Sequence, residues 1–428
     1  MQARADVVVA GGGLIGLACA LRLRQAGAEV LLVDPEASPP PASFGNAGHL
    51  ATEQVEPLAS PRTLASAPRR LFGFGGPLDF RLTDIGDWGP WALSHVRASD
   101  AATFERGRRA LGALMAGALP AWRRLAEALG DPGLVREDGH VVVWERWKSM
   151  AAGLAAWHGA DIGEAKFAAL KPDALAAVQE RLAQLLAGGA RFTGTGQIDD
   201  PARLLSRLGG AFAAAGGQRI QARAQGLSVS DGRAVLSLSD GQRLEPGLIL
   251  VAAGVGSRAL MRQAGHSAPL IAERGYHIEA AAPGWGEPPP VVFEDRSVIA
   301  TRFGQRLRLA GFVEFGRAEA PPDARKWARL ERHARELGLP FEGPISRWMG
   351  ARPTLPDYLP AIGRSARATN LAYAFGHQHL GLTLAATTGE IVAAMAQDAA
   401  PPVDLAPFDI DRFARAGYSN SQRKETST

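Results

Sequence analysis

Three glycines and one aspartate near the start of the chain carry the most legible chemistry. Gly11, Gly13 and Gly16 stand as Gly-x-Gly-x-x-Gly behind the apolar run Val7–Ala10, and a second apolar run, Val30–Val33, ends on Asp34. In such a unit the first glycine permits a tight turn and the second lets backbone amides approach a pyrophosphate. The third lets the following helix pack close to the strand. Leu14 and Ile15 open that helix, whose unpaired N–H groups and positive dipole end attract phosphate. Asp34 can accept from both ribose hydroxyls, and its charge disfavours an added 2′-phosphate. The pattern implies a dinucleotide and does not separate FAD from NAD.

Such residues need strands and helices to aim them. Both apolar runs read as buried parallel strands, with Leu14, Leu17, Leu21 and Leu23 as the inward face of the helix between them and Gly27 as its stop. Residues 35–41 form a proline-rich exit. The following Ser43-Phe-Gly-Asn-Ala-Gly-His49 suits either a backbone lying against a flat ligand or an ordinary surface loop. A third buried run, 248–253, leads into Gly254-Val-Gly-Ser257, a second small-residue turn that would hold the nucleotide from the other side. Helices are predicted over 101–129, 173–186, 324–337 and 382–397, with another starting at Asp200-Pro. Strands are predicted over 141–145, 219–224, 226–230, 234–238, 273–279, 291–294, 298–303, 307–314 and 371–375. The order describes an α/β chain with a Rossmann-like nucleotide domain (1–70, 194–270 and 345–428). An α+β substrate domain on an antiparallel sheet (71–193 and 271–344) interrupts it.

Composition narrows the class. The 428 residues are 46% hydrophobic and 21% charged, as in a soluble globular protein with room for two cores. The formal charge of +4 comes with no basic stripe, which argues against a nucleic-acid partner. A lone Cys19 excludes an internal disulfide and a CxxC redox pair. With no signal-like start and no long apolar span, a cytoplasmic protein is expected.

Several further stretches run through the chain: Pro77-Leu-Asp-Phe before Trp88, Ala252-Ala-Gly-x-Gly-Ser257, Gly275-Tyr-His, the segment from Trp348-Met-Gly-Ala-Arg-Pro to Gly363, and Phe375-Gly-His-Gln-His-Leu-Gly-Leu-Thr383. With the N-terminal unit and Ser43–Gly48 they resemble the FAD-dependent D-amino-acid dehydrogenases of the glycine/D-amino-acid oxidase group, over almost the full length. The His-Gln-His run departs from the usual dehydrogenase pattern, which has a glycine or small residue near His379. With Gly275-Tyr-His it is similar to members that oxidise cyclic D-imino acids, notably D-hydroxyproline dehydrogenases.

The resemblance implies non-covalent FAD and hydride transfer from substrate Cα to flavin N5, with a D-amino acid or an imino acid such as cis-4-hydroxy-D-proline as substrate. It implies Arg352 as the carboxylate clamp, because a guanidinium binds carboxylate bidentately and stays charged; the alternative is an ion pair bracing the bend at 350–353. Tyr276 is expected to reach the carboxylate or to be a buried aromatic. His277, His377 and His379 are candidates for the amine site or its proton, or are structural. Asn46 and Gly48 are expected at the flavin, with Ser43 and Ala47 also binding the cofactor, Ala253 and Gly254 on the turn that holds the nucleotide from the other side, and the Ala224 backbone at the adenine. The first-turn amides of Gly381, Leu382 and Thr383 would stabilise charge developing on the flavin. A quinone or other acceptor is implied, so the run Arg69–Phe80 with Trp88 and Trp91 reads either as a peripheral membrane patch or as core. Two other functions stay open: a glycine/sarcosine-type oxidase using oxygen, and a non-catalytic flavin subunit of an electron-transfer complex.

Overall fold

The computed structural model describes residues 5–35 and 41–414; most of the proline-rich exit, 36–40, lies outside them. The elements that frame the site are β1 (Val7–Ala10), α1 (Leu14–Gln25), β2 (Val30–Val33), β3 (His49–Leu50), α2 (Ile85–Ala98), β4 (His140–Trp144), β5 (Gly196–Ile198), β6 (Gln218–Ile220) and β7 (Leu248–Val251). They continue with β8 (Ile271–Ala281), β9 (Arg306–Gly316), α3 (Ala324–Leu337), β10 (Glu342–Thr354), β11 (Ala361–Arg364), β12 (Leu371–Phe375) and α4 (Gly381–Ala396).

Two large sheets divide the chain. A six-stranded sheet runs β6-β2-β1-β7-β12-β11, parallel except for β11 against β12. Its central strands are buried along their whole length, which is why they read as unbroken apolar runs. Helices α1 and α4 pack together over its face, and small residues allow the close approach: a Cβ on Gly389 would stand 3.0 Å from the Ala18 carbonyl oxygen. Trp122 closes this core from the helix Ala118–Ala128, its indole N–H donating to the carbonyls of Leu382 and Thr383 at 3.1 Å each. Each fully buried Leu or Val in such a core contributes about 1.5–3 kcal/mol.

The second sheet has nine strands and is mainly antiparallel. β10, β8 and β9 lie at one end, followed by Val298–Phe303, Val291–Phe293, β4, Gly188–Thr193 and Lys166–Ala169, with Leu78–Phe80 alongside β9. Strand β10 belongs wholly to this sheet, so the chain leaves it after Thr354 and not near residue 345 as expected. With that boundary moved, we propose the six-stranded sheet as the nucleotide unit and the nine-stranded sheet as the substrate unit. A small sheet of β3, β5 and Val135–Arg136 joins them. The predicted helix over 101–129 is two helices meeting at Gly117, and that over 173–186 is shorter, Pro172–Gln179. Helices α2 and Trp147–Gly159 were not among the predicted elements.

Candidate active site

The first turn is built as its glycines require. Gly11 has φ +116°, and a Cβ there would stand 2.4 Å from the Ala252 carbonyl oxygen. A Cβ on Gly16 would stand 1.8 Å from the Gly11 carbonyl oxygen, so α1 rests directly on the turn, while one on Gly13 would meet nothing within 4 Å. Gly13 is the N-cap of α1, with no side-chain cap and no acid in the first turn, so the amides of Leu14, Ile15 and Gly16 lack an intrahelical acceptor. Asp34 accepts from the Gly12 N–H at 2.7 Å and from Arg219 at 3.2 Å, so it fixes the turn as well as ending β2. The Ala252 N–H donates to the Ala10 carbonyl at 2.9 Å, which sets Ala253 and Gly254 beside the first turn. Gly254, with φ +58°, also faces open space. Ala224 starts a separate three-stranded sheet, paired with Leu238.

The loop from Ser43 to Gly48 is threaded between aromatic rings. A Cβ on Gly45 would stand 2.3 Å from the Trp348 ring, and one on Gly48, at φ +78°, would stand 2.6 Å from Phe303. The Asn46 side chain accepts from the Gly48 N–H at 2.8 Å, and its carbonyl accepts from Arg308 at 2.5 Å. Ser43 closes the turn through its carbonyl, which accepts from the Asn46 N–H at 3.3 Å, and Ala47 is half-buried between Asn46 and Gly48. The Ala51 N–H donates to the Thr383 hydroxyl at 3.0 Å, tying this loop to the first turn of α4. That turn has neither a side-chain cap nor an acid, leaving the Gly381, Leu382 and Thr383 amides without intrahelical acceptors.

Alternation along β8 decides which side chains share a face. Glu273, Gly275 and His277 share one face. Glu273 is buried and accepts from Arg352 Nη1 at 3.0 Å and from the Thr354 hydroxyl at 3.0 Å. A Cβ on Gly275 would stand 2.5 Å from Arg352 Nη2, so the glycine lets the guanidinium lie across the strand. Arg352 is braced by this ion pair through Nη1, and its Nη2 and Nε make no hydrogen bond among the described residues. His277 donates from Nδ1 to the Gly45 carbonyl at 3.0 Å and stacks on Trp348, with ring centroids 5.1 Å apart. Burial pushes its pKa down to about 3. His379 donates from Nε2 to Gln54 at 2.8 Å, and burial pushes it to about 4, so it is neutral at physiological pH. Tyr358 holds φ +59° and sits buried beside Glu273; burial first, and then that carboxylate, raises its phenol pKa.

Two expected residues lie elsewhere. Tyr276 points to the opposite face of β8, where its hydroxyl donates to Glu314 and accepts from the Asp323 N–H, both at 3.1 Å, and its ring packs edge-on against Trp327. It is a core residue of the nine-stranded sheet. His377 is turned under α4, with Nε2 3.0 Å from the Thr388 hydroxyl, and burial pushes it to about 3. Glu273, Tyr358, Gln54 and Trp348 instead surround Arg352, His277 and His379, and none was given a role from the sequence. The strand that carries Glu273 also holds Arg274, His277 and Glu279, so nothing in the sequence set this acid apart. A cavity of about 770 Å³ lined by Arg97, Thr103, Arg106, Asp357 and Arg412 contains none of these groups and is not assigned to the chemistry.

Two small-residue turns meeting over the ends of parallel strands, with uncapped helix N-termini beside them, define a dinucleotide-binding protein. The chain belongs to the FAD-dependent oxidoreductase (DAO) family, whose model matches residues 6–395. A D-amino-acid oxidase from Bradyrhizobium diazoefficiens is 30% identical over 415 residues, 95% of this chain and 98% of that one. A D-amino acid dehydrogenase from Paramagnetospirillum magneticum is 29% identical over 431 residues, covering 95% and 98%. Glycine oxidase from Geobacillus kaustophilus has the same fold, with a TM-score of 0.71 at 22% identity over 96% of this chain and 99% of that one. The protein is thus an FAD-dependent oxidoreductase. Open space at Gly13 and Gly254 and two uncapped helix starts fit the cofactor. Cys19 is buried inside α1, its thiol pushed up by burial, and is unavailable to bond a flavin.

Proposed function

We propose that the protein oxidises a D-amino acid or cyclic D-imino acid, such as cis-4-hydroxy-D-proline, to the imine. The observation that carries this reading is the guanidinium of Arg352, braced by Glu273 and laid over Gly275 on the face that also presents His277. Relatives named D-amino-acid oxidase and D-amino acid dehydrogenase support the substrate class.

Bound FAD supplies the acceptor for the hydrogen and two electrons leaving the substrate carbon. Arg352 holds the substrate carboxylate through Nη2 and Nε, the edge that Glu273 does not occupy. Neutral His277 and His379 add no positive charge beside the amine, which favours the uncharged amine that oxidation requires. The first-turn amides of α4 and its dipole offset negative charge developing near that helix start. A cyclic substrate leaves as a pyrroline carboxylate; an acyclic imine takes up water to give a 2-oxo acid and ammonia. Electrons then pass to a quinone or another carrier. A second reading, direct reoxidation by oxygen, is favoured by the relative named as an oxidase.

Anaerobic bleaching of the bound flavin across D- and L-amino acids, with the hydroxyproline isomers, tests the reading. Reduction by D-isomers alone is expected, and reduction by none of the panel overturns it. Peroxide yield under air then distinguishes oxygen from another acceptor.

A further inference from the structure

Behind the loop that follows Gly48, three side chains meet that the oxidation does not use. His49 lies on β3, Glu53 four residues later, and His140 is the first residue of β4. One ring nitrogen of each histidine and a carboxylate oxygen of Glu53 lie within 4.8 Å of one another. The imidazole rings meet edge-on, with centroids 4.5 Å apart.

The hydrogen-bond inventory of this cluster does not close. Nδ1 of His49 is 3.2 Å from the Gly196 carbonyl oxygen, and Nε2 is 3.1 Å from Glu53 Oε1. Both neighbours only accept, whereas a neutral imidazole has a single N–H. If Nδ1 keeps that hydrogen, the lone pair of Nε2 faces a carboxylate and either a second proton or a metal ion must stand between them; if Nε2 keeps it, the lone pair of Nδ1 faces the carbonyl. His140 has Nδ1 2.9 Å from the Thr195 hydroxyl, which can donate or accept, and no hydrogen bond at Nε2 among the described residues. The other carboxylate oxygen, Glu53 Oε2, is buried and has no hydrogen-bond partner among the described residues, in a side chain only 2% exposed.

We infer that His49, Glu53 and His140 form a divalent-metal site that takes zinc or a similar ion. Two imidazoles and a carboxylate are a donor set that Zn²⁺ accepts, with a fourth position for water. Ligand atoms on tetrahedral zinc stand roughly 3.3 Å apart, given bonds near 2.0–2.1 Å, and His49 Nε2 and Glu53 Oε1 already have close to that separation. Histidines that hold a metal characteristically donate their other ring N–H to a carbonyl or hydroxyl. The adjacent residues Thr195 and Gly196 offer those two groups here. The site ties the loop behind the flavin-binding run, which supplies two ligands, to the nine-stranded sheet, which supplies the third. Glu53 also precedes Gln54, which holds His379 at 2.8 Å, so the ion fixes the loop that positions this histidine.

The competing account is a second proton on His49, making an imidazolium–carboxylate pair. Untagged holoenzyme is dialysed against chelator, loaded with Zn²⁺ or Co²⁺, desalted and assayed for metal and flavin together. One metal per flavin is expected in the wild type, with a Co²⁺ ligand-field band and a Zn²⁺-dependent rise in melting temperature. Glu53→Gln and His140→Leu should keep their flavin, fall to below a tenth of an equivalent and show no Zn²⁺-dependent rise. Wild-type protein that keeps FAD but retains no more metal than Glu53→Gln overturns the site and leaves the ion pair.

Discussion

Arg352 and Glu273 face each other across β10 and β8, and that register sets what each can do. A buried carboxylate behind a guanidinium orients it and confines ligand binding to the opposite edge. If this edge clamps the substrate, Arg352→Met should keep its flavin and lose about 2–5 kcal/mol of transition-state binding, read from kcat/KM. Arg352→Lys should restore only part, since an ammonium cannot form the two-pronged contact; unchanged kinetics in the Met variant would remove the clamp. Arg352 was singled out because it sits in a distinctive run of residues. Glu273 was not, because its role comes from cross-strand pairing that no spacing records. Tyr276 was misplaced for a related reason: neighbours along a strand face opposite ways, and assigning His277 to the site put Tyr276 in the core.

At the scale of elements, the two turns give a contrast that only their packing supplies. Gly13→Val has room within the protein, so it should fold normally, as judged by circular dichroism, and be purified without flavin; full flavin occupancy would contradict the role of this turn. Gly16→Val instead drives a side chain into the Gly11 carbonyl and should lower soluble yield itself. The strands and helices of the nucleotide unit were readable because burial on both faces leaves unbroken apolar runs. Helix α2 was hidden by Gly86, Gly89 and Pro90, and among its residues only Trp91 is buried. The aromatic run before it divides. Phe72 is core, packed on Phe312 and under Arg329, whereas Phe74 and Leu82 are 80% and 79% exposed. Ile85, Leu93 and Val96 leave an apolar stripe on α2 open to solvent. We propose this surface as the peripheral membrane contact. Holoenzyme should co-sediment with anionic liposomes less at high salt, and Phe74→Ser/Leu82→Ser/Ile85→Ser should abolish it. Wild-type protein that stays in the supernatant would refute the contact. Among the described residues no helix is long and apolar enough to cross a membrane.

At the scale of the whole molecule, burial of neutral histidines makes stability depend on pH. Burial pushes His277 and His377 down to about 3 and His379 down to about 4, against an ordinary value of 6.5. Below pH 6.5 the unfolded chain takes up protons that the native one refuses, so stability falls as pH drops towards 4. The slope is about 1.4 kcal/mol per pH unit for each such histidine. Melting temperature should therefore decline from pH 7 to pH 5, and less steeply in His377→Gln; identical slopes would mean that His377 is not held neutral. The six-stranded sheet has a further consequence, for how the protein is made. Its strands come from four separated stretches, and β12 enters beside β7 only at Leu371. A chain still emerging from the ribosome thus carries both glycine turns while lacking β12, β11's partner, and the helix α4 that covers α1. The nucleotide cradle is encoded first and completed last, so cofactor loading belongs to the finished polypeptide. A stop codon placed just before Leu371 should leave a product that cannot retain flavin.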